Sequence, residues 1–263
     1  MTTDFRSAWL YANLSAAAYE SNLEHLKTGL DQFDYDLVDF FGDPRTDTHG
    51  YVAVSLATNR LVVAFRGTDS IRDFEVDGDV VPVPDVGLPG CPDVHRGFLD
   101  AYLSVEKDLV AILVAQRATY PHLVPVFTGH SLGGALAHLA AAHFFMDHPL
   151  DPLLVYTYGS PRVGWSGFAK WYSKHITLSY RVVHERDLVP RVPLPPFLHT
   201  DTELHITDDG KVIGSLRLWW RRLLDWDRQV IADFDGEGLR EHYISGYLTA
   251  LQKCLEVAEK TAS

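Results

Sequence analysis

Cysteine and positive charge are both scarce in this sequence. Only two of the 263 residues are cysteine, and 23 lysines and arginines stand against 35 aspartates and glutamates, which gives a net charge of -12. So acidic a chain is poorly suited to bind nucleic acid or an anionic membrane through charge. Cys91 and Cys254 lie far apart, so we expect two free thiols, compatible with a reducing compartment, and no disulfide framework.

Long apolar runs are also missing. The first twenty residues carry Asp4, Asn13 and Ser15 where a secretory signal needs a continuous apolar core, and no later stretch is long enough to span a membrane. We therefore expect an N-terminal surface helix and a cytoplasmic protein, with secretion by another route left open.

Metal-binding and phosphate-binding motifs are absent as well. The 13 histidines form no HExxH pattern, the cysteines form no paired pattern, and no glycine-rich loop carries the lysine that binds phosphate. We expect neither a metal ion nor a cofactor.

Apolar residues make up 46% of the chain, enough for the core of one large domain, and no linker or repeat interrupts it. We predict a single domain over residues 1–263. Strand-like and helix-like segments alternate, which predicts a three-layer α/β fold with a mainly parallel central sheet. The predicted strands are Tyr51–Ala57, Leu61–Phe65, Leu123–Phe127, Leu153–Tyr158 and Leu178–His184, and the predicted helices are Phe98–Thr119, Ala135–Phe145, Phe168–His175 and Tyr243–Leu255.

The sequence GHSLGG at residues 129–134 follows a predicted strand and begins a predicted helix. A serine in so sharp a turn needs small residues two positions before and two after it, and Gly129 and Gly133 meet that need. The turn exposes the Ser131 hydroxyl at the positive N-terminus of the helix. This pattern is typical of a nucleophilic serine.

Polar residues follow the carboxyl ends of four predicted strands. Thr68, Ser131, Gly159 and Asp187 all lie just after a strand, and in parallel sheets these ends meet in one crevice. We expect the four residues to converge there.

A serine nucleophile needs a histidine base and a carboxylate that orients the histidine. Asp187 is the preferred acid, because it leaves a buried strand, and His242 is the preferred base, because it lies between a glycine-rich loop and the last helix. His199 and His205 remain rival bases. The other candidate acids are interpreted as solvated turn carboxylates: Asp201, Asp208 and Asp209.

Acyl transfer also needs hydrogen-bond donors for the developing oxyanion. The backbone N–H of Leu132, directly after Ser131, is one candidate. Thr68, in the loop after the second predicted strand, offers its N–H and also its hydroxyl.

Six blocks together resemble the fungal-type, or class 3, lipases over about Tyr51–Leu248. In order they are FRGT, VHRGFLDAY, TGHSLGGALA, YTYGSPRVG, RVVHERDLVPRVP and HYISGYL. The resemblance implies an α/β-hydrolase fold, a Ser131–Asp187–His242 triad, and Thr68 and Leu132 as oxyanion donors. Within these blocks we interpret His95 and residues 159–162 as mainly structural.

Two segments depart from the secreted fungal members. Residues 69–79, within a lid-like segment at about 69–80, are rich in charge, so we expect weak activation at an oil surface. An added amphipathic helix is predicted at Leu216–Ile231, within about 215–231, either packed on the core or acting as a lipid-facing cap.

The sequence thus predicts a serine carboxylic-ester hydrolase acting on acylglycerols or similar lipid esters. A phospholipase A1 or a feruloyl-type esterase is the alternative within the same chemistry. A non-catalytic hydrolase-fold binding protein is the rival from another class, and the intact serine, acid and base argue against it. We expect at most peripheral contact with lipid surfaces.

Overall fold

The computed structural model describes residues 4–68, 81–85, 87–90, 92–149, 152–213 and 241–262. The strands are β1 (Asp36–Asp43), β2 (Thr48–Ser55), β3 (Arg60–Phe65), β4 (Pro82–Pro84), β5 (Asp93–His95), β6 (Val124–His130), β7 (Leu154–Tyr158), β8 (Ser179–His184), β9 (Thr202–Ile206) and β10 (Val212–Ile213). The helices are α1 (Phe5–Ala17), α2 (Leu23–Asp31), α3 (Arg96–Thr119), α4 (Leu132–Asp147), α5 (Ser166–His175) and α6 (Ile244–Ala262).

Eight of these strands form one sheet in the order β1-β2-β3-β6-β7-β8-β9-β10. The five central strands, from β3 to β9, run parallel to one another, while β1, β2 and β10 pair antiparallel at the two edges. The β3–β6, β6–β7 and β7–β8 pairs are each joined through a helical crossover, as the alternating pattern predicts. The predicted mainly parallel sheet is confirmed.

The sheet is buried on both faces because apolar residues occupy successive positions in its central strands. In β3, Leu61, Val63 and Phe65 pack under α3, α4 and α5, whereas Val62 and Ala64 pack under α1, α2 and α6. Successive strand side chains point to opposite faces, so an unbroken apolar strand serves two cores. The two cores and the sheet between them make the three predicted layers.

The long predicted helix is present as α3. Its apolar spacing predicts one core-facing side with Leu99, Leu103, Leu109, Ile112 and Leu113. Leu99, Leu109 and Leu113 are buried, but Leu103 is 45% exposed, so the prediction is wrong at that residue. Residues four apart on a helix differ by about 40° in direction around its axis. Leu103, four residues after Leu99, is therefore rotated toward the solvent side.

The N-terminal helix prediction is confirmed by α1, which packs closely on the sheet. Tyr11 and Leu14 are buried, and Tyr158 donates a hydrogen bond from its hydroxyl to the carbonyl of Ala8 at 2.5 Å. The interpretation of α1 as a surface helix therefore holds only for its outer side.

Several predictions fall outside the described residues: the lid-like segment at 69–80, the amphipathic helix at 215–231 and Cys91. Cys254 is a free, buried thiol, and its burial raises its pKa to about 11. No helix in the described part of the chain is long and apolar enough to cross a membrane.

Candidate active site

Four parallel strands bring the predicted site residues to one edge of the sheet. Thr68 follows β3, Ser131 follows β6, Gly159 follows β7 and Asp187 follows β8, and these strands are neighbours in that order. Their carboxyl ends meet at the same edge, where open α/β sheets form binding crevices. The expected convergence follows directly from the sheet order.

The turn at Ser131 has the tight geometry that its glycines predict. A Cβ atom on Gly129 would overlap the carbonyl of Gly133, and one on Gly133 would overlap the carbonyl of Phe65. Ser131 itself has φ 59° and ψ −130°, a conformation that costs a non-glycine residue about 1–3 kcal/mol. The fold holds this strain at the one serine placed between β6 and α4.

Ser131 occupies the N-cap position of α4, yet its side chain makes no capping hydrogen bond. A serine at this position ordinarily bonds an N–H of the first turn. At Ser131 the backbone has φ 59° and ψ −130°, outside the conformation usual for a capping serine. The hydroxyl is therefore available for chemistry, and the N-terminus of α4 lies beside it.

Asp187 and His242 form a fully buried pair. The Nδ1 atom of His242 lies 2.8 Å from Oδ2 and 3.0 Å from Oδ1 of Asp187, and both side chains are 0% exposed. Because a carboxylate accepts hydrogen bonds, Nδ1 carries a proton, and in the neutral form of the ring Nε2 has the free lone pair. That tautomer can accept a proton at Nε2.

Two further donors hold the Asp187 carboxylate in place. The backbone N–H of Val189 donates to Oδ1 at 2.9 Å, and the buried hydroxyl of Tyr247 donates to Oδ2. Burial and the Asp187 charge raise the pKa of Tyr247 well above its ordinary value, so the phenol stays a donor. Three donors, His242, Val189 and Tyr247, thus fix the orientation of the carboxylate.

Ser131 and His242 both lie against the turn after β7. The N–H of Ser131 donates to the carbonyl of Tyr158 at 2.9 Å, and a Cβ atom on the next residue, Gly159, would lie 2.8 Å from Cε1 of His242. The Nε2 atom of His242 is buried and has no hydrogen-bond partner among the described residues. An unpartnered buried acceptor is costly unless a bound group uses it.

Gly159, interpreted from sequence as mainly structural, is in direct contact with the acid and the base. It has φ 58°, and a Cβ atom there would lie 2.8 Å from Oδ2 of Asp187 as well as from the His242 ring. No side chain fits at this position without displacing the pair.

We expect Gly159→Ala to lower kcat by about 100-fold with little change in KM, because a shift of about 1 Å in a catalytic group has that effect. The measurement is steady-state hydrolysis of p-nitrophenyl butyrate. Gly90→Ala is the matched control, since Gly90 also has a positive φ of 80° but nothing lies within 4 Å of its Cβ position. Equal losses in the two variants would contradict the contact explanation.

The two candidate oxyanion donors flank Ser131. Leu132 begins α4 directly after it. A Cβ atom on Gly67 would lie 3.1 Å from the Cβ of Ser131, so the loop carrying Thr68 lies beside the serine. The structure thus brings Thr68 and Leu132 to the same place as Ser131.

The two rival histidines have other partners. His199 is half-buried and its Nε2 donates to the carbonyl of Pro190 at 2.6 Å, and desolvation and the Arg181 charge keep its pKa well below the ordinary value. His205 lies on β9 with Nδ1 3.6 Å from Glu203. Neither contacts Asp187 through a hydrogen bond in the described part of the chain.

Asp208 and Asp209 are exposed, as predicted, but the prediction of a solvated Asp201 is wrong. The Asp201 side chain is 0% exposed and accepts hydrogen bonds from His138 Nε2 at 2.7 Å and Arg181 Nε at 3.2 Å. Burial opposes its ionisation, but the charges of His138 and Arg181 prevail and lower the pKa to about 2. Strand β9, which sequence reasoning missed, begins at the next residue and turns Asp201 inward.

Three functional neighbours were also missed. Tyr247 lies five residues after His242, and His130 directly precedes Ser131, so both stood beside predicted site residues. Tyr19 lies more than a hundred residues away, and its hydroxyl lies 2.8 Å from Nδ1 of His130. No local pattern signals that contact.

No group of three or more histidine, cysteine, aspartate or glutamate side chains within the described ranges could hold a metal ion. A serine at a strand-to-helix elbow, with an aspartate and then a histidine beyond later strands, is the arrangement of the α/β-hydrolases. The sequence pattern of the class 3 lipases matches residues 62–197, just over half of the chain. The chain belongs to the class 3 lipase family.

Relatives and solved structures agree with this assignment. The chain is 39% identical to a Rhizomucor miehei lipase over 169 residues, 62% of this chain and 46% of that protein. It is 37% identical to a secreted mono- and diacylglycerol lipase of Fusarium solani over 167 residues, 63% of this chain and 49% of that protein. A structure of Rhizomucor miehei triacylglyceride lipase matches with a TM-score of 0.73 and 31% identity, covering 81% of this chain and 83% of that one. The chain spans about half the length of the curated relatives it matches.

The expected cytoplasmic location is wrong in the light of these relatives. The Fusarium solani lipase is described as secreted, and this conflicts with a location inferred from N-terminal composition. Targeting segments are distinct from the folded domain, so the composition of the first twenty residues was insufficient to predict the location of the protein.

Proposed function

We propose that the protein is a serine carboxylic-ester hydrolase that cleaves acylglycerols or similar lipid esters through an acyl-enzyme on Ser131. The observation that carries this proposal is the buried Asp187–His242 pair with a free Nε2, set against the turn that also holds Ser131. The names of its relatives, a mono- and diacylglycerol lipase and a triacylglyceride lipase, support the substrate class.

Acylation begins with attack of Ser131 Oγ on the ester carbonyl carbon. Nε2 of His242 takes the hydroxyl proton as the Oγ–C bond forms, and the Asp187 carboxylate stabilises the resulting imidazolium. The carbonyl oxygen becomes an oxyanion, which the N–H groups of Leu132 and Thr68 stabilise. Collapse of this intermediate breaks the ester C–O bond, and His242 returns the proton to the leaving alcohol.

Deacylation repeats these steps with water as the nucleophile. His242 takes a proton from water as the oxygen adds to the acyl carbon, and then gives it to Ser131 Oγ as the acyl–Oγ bond breaks. The products are a carboxylic acid and the free enzyme.

Exposed apolar side chains beside the site support a lipid ester. Leu194 and Leu198, on the loop that follows Asp187, are 57% and 41% exposed, and Tyr243, next to His242, is 62% exposed. Large apolar groups exposed near a site indicate contact with apolar ligands or interfaces. We propose that any membrane contact is peripheral and made by this edge of the molecule.

A hydrolysis panel tests the proposal. It compares p-nitrophenyl butyrate and palmitate, tributyrin below and above its solubility limit, long-chain triacylglycerol, phosphatidylcholine and methyl ferulate. We expect glycerides to be cleaved fastest, with a smooth rise through the tributyrin limit. Exclusive cleavage of phospholipid or ferulate would overturn the acylglycerol assignment, and no turnover at all would favour a binding protein.

Thr68 tests the oxyanion assignment. If its hydroxyl donates, Thr68→Ala should lower kcat by about 10- to 1000-fold with little change in KM, because the donor acts on the transition state. Thr68→Ser keeps the hydroxyl and serves as the control, with kcat near wild type. An unchanged kcat in Thr68→Ala would restrict Thr68 to its backbone N–H.

We also propose that residues 1–263 form one hydrolase domain. Both hydrophobic cores pack on the same eight-stranded sheet, which supports a single folding unit.

A further inference from the structure

Two other histidines hold the backbone on either side of His242. The Nε2 atom of His130 donates to the carbonyl oxygen of His242 at 2.6 Å. The Nδ1 atom of His184 donates to the carbonyl oxygen of Glu241 at 3.2 Å. These two carbonyls belong to the two peptide groups that flank the His242 Cα atom, so both are tied to the central sheet.

The two rings are themselves fixed. His130 is 5% exposed and its Nδ1 lies 2.8 Å from the hydroxyl of Tyr19. His184 is 3% exposed and its Nε2 lies 2.9 Å from Oδ1 of Asp208. Each histidine therefore uses one nitrogen for the His242 segment and the other for an anchor in a different part of the fold.

The tautomer of His130 follows from its surroundings. Burial and the neighbouring His242 lower the pKa of His130 well below the ordinary value, so the ring is neutral and has one N–H. A carbonyl can only accept, so that N–H is on Nε2. Nδ1 then accepts the proton of the Tyr19 hydroxyl, which fixes the ring in this tautomer.

Within the described ranges, few other contacts constrain the main chain of His242. It lies two residues before α6 begins at Ile244, outside the regular hydrogen bonding of that helix. Asp187 fixes only Nδ1 of the ring. The rings of His130 and His242 are 4.5 Å apart at an angle of 31°, so one side of the base is also packed.

We propose that His130 and His184 are positioning residues for the general base. Their hydrogen bonds to the peptide groups on both sides of His242 set the place from which Nε2 reaches Ser131. This inference rests on the proposed role of His242. It predicts that kcat depends on where the side chains of residues 130 and 184 place a hydrogen-bond donor, and not only on the volume that these side chains fill.

The donor positions differ between the two sites, which makes the test specific. The amide nitrogen of glutamine reaches the place of imidazole Nε2, whereas that of asparagine reaches the place of Nδ1. His130 uses Nε2 and His184 uses Nδ1. Glutamine should therefore rescue residue 130 but not residue 184, and asparagine should rescue residue 184 but not residue 130.

The experiment measures kcat, KM and Tm for leucine, glutamine and asparagine at each position. We expect His130→Leu and His184→Leu to lower kcat by about 10- to 100-fold at nearly constant KM, since displacement of a catalytic group by about 1 Å has an effect of this size. His130→Gln and His184→Asn should stay within a few-fold of wild type. His130→Asn and His184→Gln should resemble the leucine variants.

His175→Leu is the matched control, because Nδ1 of His175 also donates to a backbone carbonyl, that of Trp171 in α5, at 2.7 Å. Its kcat should not change. Where a leucine variant does not fold, the test is the comparison of kcat between the glutamine and asparagine variants at that position, since these two differ in the position of the donor.

Two results would overturn the proposal. One is a lower Tm with wild-type kcat in the leucine variants; the other is equal kcat for glutamine and asparagine at both positions. His242→Ala, measured alongside, distinguishes failure of the proposed base from failure of the proposed positioning role. If it remains active, the proposed base fails and the positioning role fails with it; if it is inactive while His130→Leu and His184→Leu are fully active, the positioning role alone is wrong.

Discussion

Ser131→Ala should lower kcat by about a million-fold, and His242→Ala should have a similar effect, because nucleophile and base act as one unit. Without the hydroxyl no acyl-enzyme forms, and without the imidazole the hydroxyl keeps its proton. The residual rate comes from substrate binding and the oxyanion donors, which both variants retain. The measurement is single-turnover hydrolysis of a p-nitrophenyl ester, with circular dichroism to show that each variant is folded.

His199→Ala is the control for the base. His199 is half-buried, and it pairs with the carbonyl of Pro190 and not with a carboxylate. Its replacement should change stability more than kcat. If folded His199→Ala were inactive while His242→Ala kept wild-type hydrolysis, the assignment of the base would be wrong.

Asp187→Asn should lower kcat by about 10,000-fold, because the amide can donate to Nδ1 of His242 and so stabilise the tautomer with its proton on Nε2. In that tautomer Nε2 cannot accept a proton from Ser131. The effect should be smaller than that of Ser131→Ala, since His242 can still adopt the productive tautomer part of the time. The measurement is kcat at neutral pH, with KM as the check on binding.

Asp201→Asn is a closely matched control. Asp201 is also buried and also accepts a hydrogen bond from a histidine, His138. Breaking this buried pair should reduce the free energy of unfolding by about 3–5 kcal/mol and leave kcat of the folded protein nearly unchanged. The reverse outcome, with Asp201→Asn inactive and Asp187→Asn active, would assign the acid to Asp201.

Much of the candidate site could be read from local sequence. The elbow at residues 129–134 is recognisable because its backbone geometry leaves no room for side chains at Gly129 and Gly133, and that demand lies within a few residues of Ser131. The order of strands and helices likewise predicted which residues reach the carboxyl edge of the sheet. Parallel strands place their ends together whatever the details of the packing.

The errors concern features that depend on distant contacts. Asp201 has a turn-like local sequence, but Arg181 and His138 bury and ionise it. Gly159 looks like an ordinary turn glycine until the Asp187–His242 pair packs against it. In each case the partner lies 20 to more than 80 residues away in the chain, beyond any local pattern.

Local sequence was therefore sufficient for the layer architecture and the family and for the choice of Ser131 as candidate nucleophile, since these follow from apolar periodicity, short motifs and backbone sterics. Other contacts depend on folding. They are the pairing of His242 with Asp187, the hydrogen bond from the Tyr247 hydroxyl to that carboxylate, and the hydrogen bonds of His130 and His184 to the main chain around His242. These contacts join β6, β8 and α6, and their distances exist only after both cores have packed against the sheet. Hydrogen bonds weaken steeply when the donor angle falls below about 120°, so tertiary packing selects one histidine among 13 as the candidate base.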